Sequence, residues 1–326
     1  MWTAFVTGCG SGFGHALARR LLALGHRVVA TDESTAGWPD ALPATDRLLV
    51  LPMDVRDDRA VSGAARIATG WGPVDLLVNN AGVALFATQE EAPVDAFRDL
   101  LDVNVVGPAR VTRALLPSIR ENRGVVVQLS SVAGRTVFPE SGFYAATKHA
   151  IEAMSDALFQ ETCTFGVRVR VVEPGAFATR FLERAAALSP APDAASPYAA
   201  LRDRWGEEKR AVLEPPQDPE LVVDAILASL TDPAPYRRVV VGPDAERILA
   251  VRDLLGPDGW TRLAGDRNGL DAPHGPGELP SPTELLALPA ADPRWALASA
   301  VAARGHLAHW AQSDDGRAAL ARIRGG

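Results

Sequence analysis

Ser131, Tyr144 and Lys148 are the residues whose types and spacing could do chemistry. Tyr144 and Lys148 lie four apart at the start of a segment with a helical pattern. They therefore share one face, ~6 Å apart along the axis. A tyrosine titrates near ~10 and is a poor base at pH 7. A neighbouring ammonium stabilises tyrosinate, so a Tyr144 pKa well below that value is expected. Ser131 follows the apolar run Val125–Leu129 and can hydrogen-bond a substrate oxygen. Together the three suit proton transfer at a carbinol oxygen beside a hydride carrier, with Lys148 also holding the carrier's ribose. The pair Tyr-x-x-x-Lys also arises by chance in many helices, where it is surface decoration.

A hydride carrier needs a phosphate cradle. Thr7-Gly8-Cys9-Gly10-Ser11-Gly12-Phe13-Gly14 follows the first apolar run and opens the first helical pattern. Gly8 can make the tight turn, Gly12 lets backbone approach a pyrophosphate, and Gly14 lets the helix pack close to the sheet. Free N–H groups and the helix dipole then favour an anion. The spacing is G-x-x-x-G-x-G rather than G-x-G-x-x-G, and a merely structural turn is the alternative. Asp32 ends the next run, Val28-Val29-Ala30-Thr31-Asp32. Its carboxylate can accept from adenosine ribose hydroxyls and would repel a 2′-phosphate. Glu33 and Ser34 follow, with no Arg or Lys beside it, which argues for NAD over NADP; a solvated loop-capping Asp is the other reading. Asp54-Val55 and Asn79-Asn80-Ala81-Gly82 follow the third and fourth runs, at strand ends where such sheets bind ligands. Asn-Asn-Ala-Gly could equally stabilise a turn.

The elements that must position these groups are regular. Apolar runs at Ala4–Val6, Arg27–Ala30, Leu48–Leu51, Leu76–Val78, Val125–Leu129, Val167–Val172 and Arg238–Val241 suit strands buried on both faces. Helical patterns lie between them at His15–Leu24, Asp58–Ala68, Val94–Ile119, Ala145–Thr164 and Pro219–Leu230. Seven strands alternating with helices predict a doubly wound, Rossmann-type parallel α/β sheet over residues 1–242. Residues 175–218 interrupt the rhythm and read as a lid or pocket wall, in which Phe181 and Trp205 either line a pocket or simply dock the lid. Residues 243–326 form an extension. Its stretch Gly256–Pro293 is crowded with Gly and Pro and predicts irregular chain. Arg294–His309 and Asp314–Ile323 read as short helices. The face carrying Trp295, Ala298 and Val301 needs burial, so the extension is expected to pack on the first domain, beside the 175–218 insertion.

Composition narrows the classes. The chain has 326 residues, is 47% hydrophobic and 22% charged, and carries a formal charge of -7. That balance argues against global disorder, nucleic-acid binding and coating of an anionic membrane. Two cysteines, Cys9 and Cys163, give no disulfide framework and suit a reducing compartment. Cys9 reads as a small filler beside the adenosine rather than a redox group. No apolar run spans a bilayer, and the N-terminus lacks a signal-peptide pattern, so a soluble cytoplasmic protein is expected. His306 and His309 share a helical face, but no carboxylate or Cys pattern completes a metal site.

The joint pattern resembles the short-chain dehydrogenase/reductase family, in its compact single-domain branch. The resemblance rests on Thr7–Gly14, Asn79–Gly82, Asn104 in Asp102-Val103-Asn104-Val105, the set Ser131, Tyr144 and Lys148, and Pro174, Gly175 and Thr179 in Pro-Gly-x-x-x-Thr. These motifs fall in family order over residues 1 to about 242. The resemblance implies an NAD-dependent oxidoreductase acting on an alcohol or ketone. Tyr144 would be the acid/base, Lys148 would lower its pKa and bind the nicotinamide ribose, and Ser131 would orient the substrate oxygen. Asn104 would hold a water linking Lys148 to solvent. Gly8, Ser11, Gly12, Phe13 and Gly14 would meet the phosphates and Asp32 the adenosine ribose. Asp54 and Val55 would meet the adenine, and Asn80, Ala81 and Gly82 the cofactor ribose region. Pro174, Gly175 and Thr179 would flank the carboxamide, and Phe177 would also bind the cofactor. The stretches Ser11–Gly14 and Val172–Phe177 are similar to a steroid and retinol dehydrogenase subgroup, which implies a bulky apolar substrate. Family members pair as dimers or tetramers through the helices here at Val94–Ile119 and Ala145–Thr164. An NAD-dependent epimerase or dehydratase and a non-catalytic NAD sensor are the rival readings. The glycine spacing counts against the first, and retention of both Tyr144 and Lys148 counts against the second.

Overall fold

A computed structural model describes residues 1–267 except 36–37, 39–41, 44, 178, 192 and 214–216. Its strands are β1 (Thr3–Thr7), β2 (Arg27–Asp32), β3 (Leu48–Pro52), β4 (Leu76–Asn79), β5 (Val125–Leu129), β6 (Arg168–Pro174) and β7 (Tyr236–Val241). They form one parallel sheet in the order β3-β2-β1-β4-β5-β6-β7. The seven apolar runs are therefore the seven strands. β1, β4 and β5 are buried throughout, which explains their unbroken apolar character. β6 departs from that rule: Arg170 is fully buried, with its guanidinium satisfied by the carbonyls of Ser229, Asp232 and Ala234.

Helices cover both faces. One core cluster joins α1 (Gly12–Ala23) and α8 (Glu220–Thr231) to the sheet through Leu17, Leu21, Val222 and Ile226. The other joins α2 (Asp58–Trp71) and α4 (Gly107–Glu121) through Val61, Ala68, Val111 and Leu115, with Leu158 from α5 (Gly142–Thr162). This is the Rossmann-type α/β architecture expected from the sequence.

Two elements differ from expectation. The pattern Val94–Ile119 is not one helix. α3 (Val94–Leu101) passes into a π-helical turn, Asp102–Val106, before α4 begins. Such a turn inserts a residue and rotates the helix downstream of it, and here it sets Asn104 inward. The predicted irregular chain after Gly256 is also wrong in its first part. α9 spans Pro243–Arg267, with a break at Gly256 (φ 69°) after which helix resumes. The sequence punctuation marks the break, but it does not show that the next turn is rebuilt.

The 175–218 insertion contains α6 (Arg180–Leu188) and α7 (Ala199–Leu213). α9 buries Ala245 and Leu249 against Val132, and Trp260 against Phe138. The helices expected at Arg294–His309 and Asp314–Ile323 lie outside the described residues, as do His306 and His309. Among the described residues no helix is long and apolar enough to cross a membrane, and no His/Cys/Asp/Glu cluster could hold a metal ion.

Candidate active site

The carboxyl ends of the strands open onto a cavity of about 720 Å³. Of the candidate catalytic and cofactor residues, Gly14 and Asn104 stand behind its wall and the others line it.

At one end the glycine loop joins β1 to α1. Gly8 (φ 72°) and Gly12 (φ 59°) hold left-handed backbone that glycine adopts without strain. A Cβ at Gly14 would collide with the Gly8 carbonyl, so this glycine works as packing beneath the loop. At Gly12 an added Cβ would meet little, because the space above is open cavity. Asn80 donates Nδ2 to the carbonyls of Thr7 and Gly8 at 2.8 and 3.0 Å, clamping the loop from β4. This cradle, with free backbone N–H groups at a helix start, fits a dinucleotide pyrophosphate.

Asp32 is 9% exposed, and its Oδ2 accepts the Gly10 N–H at 2.7 Å. The expectation that no cation stands at this end needs correction. Arg56, from the loop before α2, reaches within 3.8 Å of Glu33. Asp54 holds it by hydrogen bonds from Nη2 at 2.7 Å and Nε at 3.0 Å. That bond keeps the Asp54 carboxyl below its ordinary range. Sequence distance hides this arginine, because β2 and β3 lie side by side. Cys9 is fully buried, with burial raising its thiol pKa, so it is inert.

At the other end α5 presents Tyr144 and Lys148. The Lys148 ammonium donates to the Leu129 carbonyl at 2.7 Å and lies 5.7 Å from the Tyr144 ring centroid. The Ser131 hydroxyl accepts the Ala133 N–H at 3.1 Å, lies 3.5 Å from the Pro174 carbonyl, and lines the same cavity as the Tyr144 phenol. The expected fall of the Tyr144 pKa does not occur. Burial pushes it up to about 12, and only the Ser131 hydroxyl draws it back. Burial also brings Lys148 down to about 8, opposed by the charge of Glu152 one turn later. A one-neighbour argument overlooks the desolvation that the closed cavity imposes on both groups.

Asn104 Nδ2 donates to Val83 O at 2.8 Å and Thr147 Oγ1 at 3.1 Å, while Oδ1 accepts the Val83 N–H at 2.9 Å. Its side chain thus ties the loop after β4 to α5, behind Lys148. Pro174 ends β6 and Gly175 follows it, Thr179 caps α6 by accepting the Phe181 N–H, and Phe177 packs edge-on against Phe13 at 5.6 Å.

Beyond Tyr144 the wall is aromatic. Phe86 and Phe181 flank the Tyr144 ring at 6.3 and 5.9 Å. Phe138 stacks on Trp205 at 5.3 Å and meets Trp260 edge-on at 5.7 Å. Trp205 and Phe181 both line the cavity, together with Ile248 of α9. Sequence reasoning misses Trp260 and Asp244, which sit in the extension. For Asp244 the signal is the acidic start of a helix straight after the last strand, and Trp260 lies past the Gly256 break, in the stretch read as irregular chain.

The sequence profile described as short chain dehydrogenase matches residues 2–188. Retinol dehydrogenase 7 of Mus musculus is 40% identical over 183 residues, covering 54% of this chain and 56% of that one. The chain thus matches little more than half of that relative's length. The 17-beta-hydroxysteroid dehydrogenase type 6 of Rattus norvegicus is 33% identical over 261 residues, covering 74% of this chain and 80% of that one. A solved short-chain dehydrogenase from Streptomyces avermitilis superposes with a TM-score of 0.71 at 34% identity, covering 83% of this chain and 99% of that one. With the profile spanning more than half of the sequence, and a glycine cradle and a Ser-Tyr-Lys set facing one cavity, this chain belongs to the short-chain dehydrogenase family of oxidoreductases.

Proposed function

We propose that the protein oxidises a bulky, apolar secondary alcohol, or reduces the matching ketone, with NAD(H) as its dinucleotide. The observation that carries this reading is the continuity of a single cavity from Asp32 at one end, past Ser131, Tyr144 and Lys148, to the aromatic wall of Phe86, Phe181 and Trp205. The retinol and hydroxysteroid dehydrogenases it is similar to are named for large apolar alcohols.

A nicotinamide dinucleotide held along this cavity would supply the hydride acceptor for alcohol oxidation and the hydride donor for ketone reduction. The protein's own residues do the rest. Tyr144 accepts the hydroxyl proton in oxidation and returns it in reduction, its phenol facing the same space as the Ser131 hydroxyl, which orients the substrate oxygen. Lys148 supports the phenolate by charge and holds the nicotinamide ribose. Asn104 braces the wall behind Lys148, and a water beside it carries the proton to solvent. Preference for NAD follows from charge. Asp32, Glu33 and Asp54 surround the adenosine end, and the Arg56 guanidinium that lines the cavity there is already held by Asp54. A 2′-phosphate would meet net repulsion.

A panel of secondary alcohols tests this directly. Apolar alcohols should yield one NADH per ketone formed, with NADP a poorer substitute. Tight NAD binding with no reduced cofactor from any alcohol would overturn it. The reading includes a cytoplasmic homodimer or homotetramer joined through α4 and α5, which sedimentation checks.

A further inference from the structure

The helix that begins the C-terminal extension places one side chain at the cofactor end of the cavity. Asp244, on the first turn of α9, is 5% exposed and lines that cavity. Its Oδ2 accepts the Ala176 backbone N–H at 2.7 Å. Its Oδ1 accepts Gln217 Nε2, also at 2.7 Å. Gln217, at the end of the 175–218 insertion, donates from the same nitrogen to the Ala176 carbonyl at 2.9 Å. A Cβ at Gly175 would collide with both oxygens of the Asp244 carboxylate. The loop after β6, the end of that insertion and the start of α9 therefore meet at one carboxylate. That loop is also the one whose Pro174 carbonyl faces the Ser131 hydroxyl.

Docking of α9 does not account for this arrangement. The helix is anchored separately, by Ala245 and Leu249 against Val132 and by Trp260 against Phe138. The carboxylate instead satisfies the N–H of a loop whose neighbour must be glycine to let it approach. Charge-assisted hydrogen bonds of this kind are roughly twice as strong as neutral ones.

We propose that Asp244 is a positioning residue for the nicotinamide half of the cofactor. It holds Pro174, Gly175 and Ala176 at the depth the ring needs, so cofactor binding depends on α9. The inference rests on the dinucleotide reading above.

Titration of the full chain with NADH and with ADP-ribose separates the two. ADP-ribose keeps the adenosine and pyrophosphate and lacks the nicotinamide. Asp244→Ala should weaken NADH about tenfold and leave ADP-ribose within about twofold. Asp244→Asn keeps an acceptor for Ala176 N–H and, with the Gln217 amide turned over, a donor for its oxygen. It should stay within about threefold of wild type for NADH. Should Asp244→Ala fail to fold, Gln217→Leu removes one of the two donors and should give the same selective loss at about threefold. Wild-type binding of both ligands, with the variants changing neither or both alike, would overturn the inference alone. Wild-type protein that binds neither ligand would overturn the dinucleotide reading, and the inference with it.

Discussion

At the adenosine end of the cavity the walls come from consecutive elements, β1 to α2, whereas at the substrate end Trp260 donates its Nε1 to the Val137 carbonyl 123 positions away. The first end is built from glycine backbone and carboxylates: Gly8, Gly12, Asp32 and Asp54. The second is built from aromatic side chains delivered by the loop before α5, by α7 and by α9. The polar end is shaped by glycine backbone in the loops of adjacent strands, clamped by Asn80 from 72 positions away. The aromatic end depends on three separate segments docking together, each pair adding only ~0.5–1.5 kcal/mol beyond the area it buries.

The sharpest way to break this division is at the point where the two ends meet. Tyr144→Phe removes the hydroxyl proposed to transfer the proton and should lower kcat by ~10²–10⁴-fold while NADH affinity, read by fluorescence titration, stays unchanged. Lys148→Ala should lower both. If Tyr144→Phe keeps more than about a tenth of kcat with chemistry rate-limiting, the acid/base assignment fails.

The pH profile sharpens the same point. Burial pushes Tyr144 up to about 12, so oxidation, which needs the phenolate, should gain rate with rising pH until Lys148, near about 8, loses the charge that supports that phenolate. Reduction uses the neutral phenol and should fall only as Lys148 loses its proton, near about 8. Flat kcat/KM curves in both directions, with a deuterium isotope effect showing hydride transfer to be rate-limiting, would contradict this.

Asp32→Ala probes the adenosine end alone. Loss of a charged hydrogen-bond acceptor costs ~1.5–3 kcal/mol, so NAD affinity should fall about ten- to a hundredfold and the preference for NAD over NADP should narrow. Unchanged affinity for both dinucleotides would place the adenosine elsewhere. Phe138→Ala probes the other end alone. It removes the ring shared by Trp205 and Trp260, so KM for bulky alcohols should rise about three- to tenfold with NADH binding unaltered. A rise in the cofactor Kd instead would show that the two ends are not separable.

The last test reads stability rather than turnover. Glu173 is fully buried beside Glu152, and burial pushes its carboxyl up to about 7, against the pull of Arg135 and Arg238. The folded state thus keeps a proton that the unfolded chain has released. This contribution to stability is whole below the unfolded value of 4.5 and is lost as pH rises through about 7. Wild-type melting temperature should fall between pH 5 and pH 8, and Glu173→Gln should flatten that slope by the equivalent of ~2 kcal/mol. An identical slope in both proteins would assign the titration to another group.

Much of this molecule is legible in the order of its residues. The seven strands are readable because a strand buried on both faces must be apolar nearly throughout. The glycine loop is readable because left-handed backbone and close approach select glycine locally. Tyr144 and Lys148 are placed together by the period of one helix. The hidden features share a different cause. The π-turn that sets Asn104 inward leaves no mark in a continuous helical pattern. Arg56 meets Glu33 only because neighbouring strands bring distant loops side by side, and Asp244 reaches Ala176 only because β7 lies beside β6. Phe138, Trp205 and Trp260 each look like ordinary core residues until three segments fold over one another. The pKa values of Tyr144 and Lys148 belong to the same class. Spacing determines which charges are neighbours, but desolvation is set by everything that closes over them, and only the tertiary structure decides that.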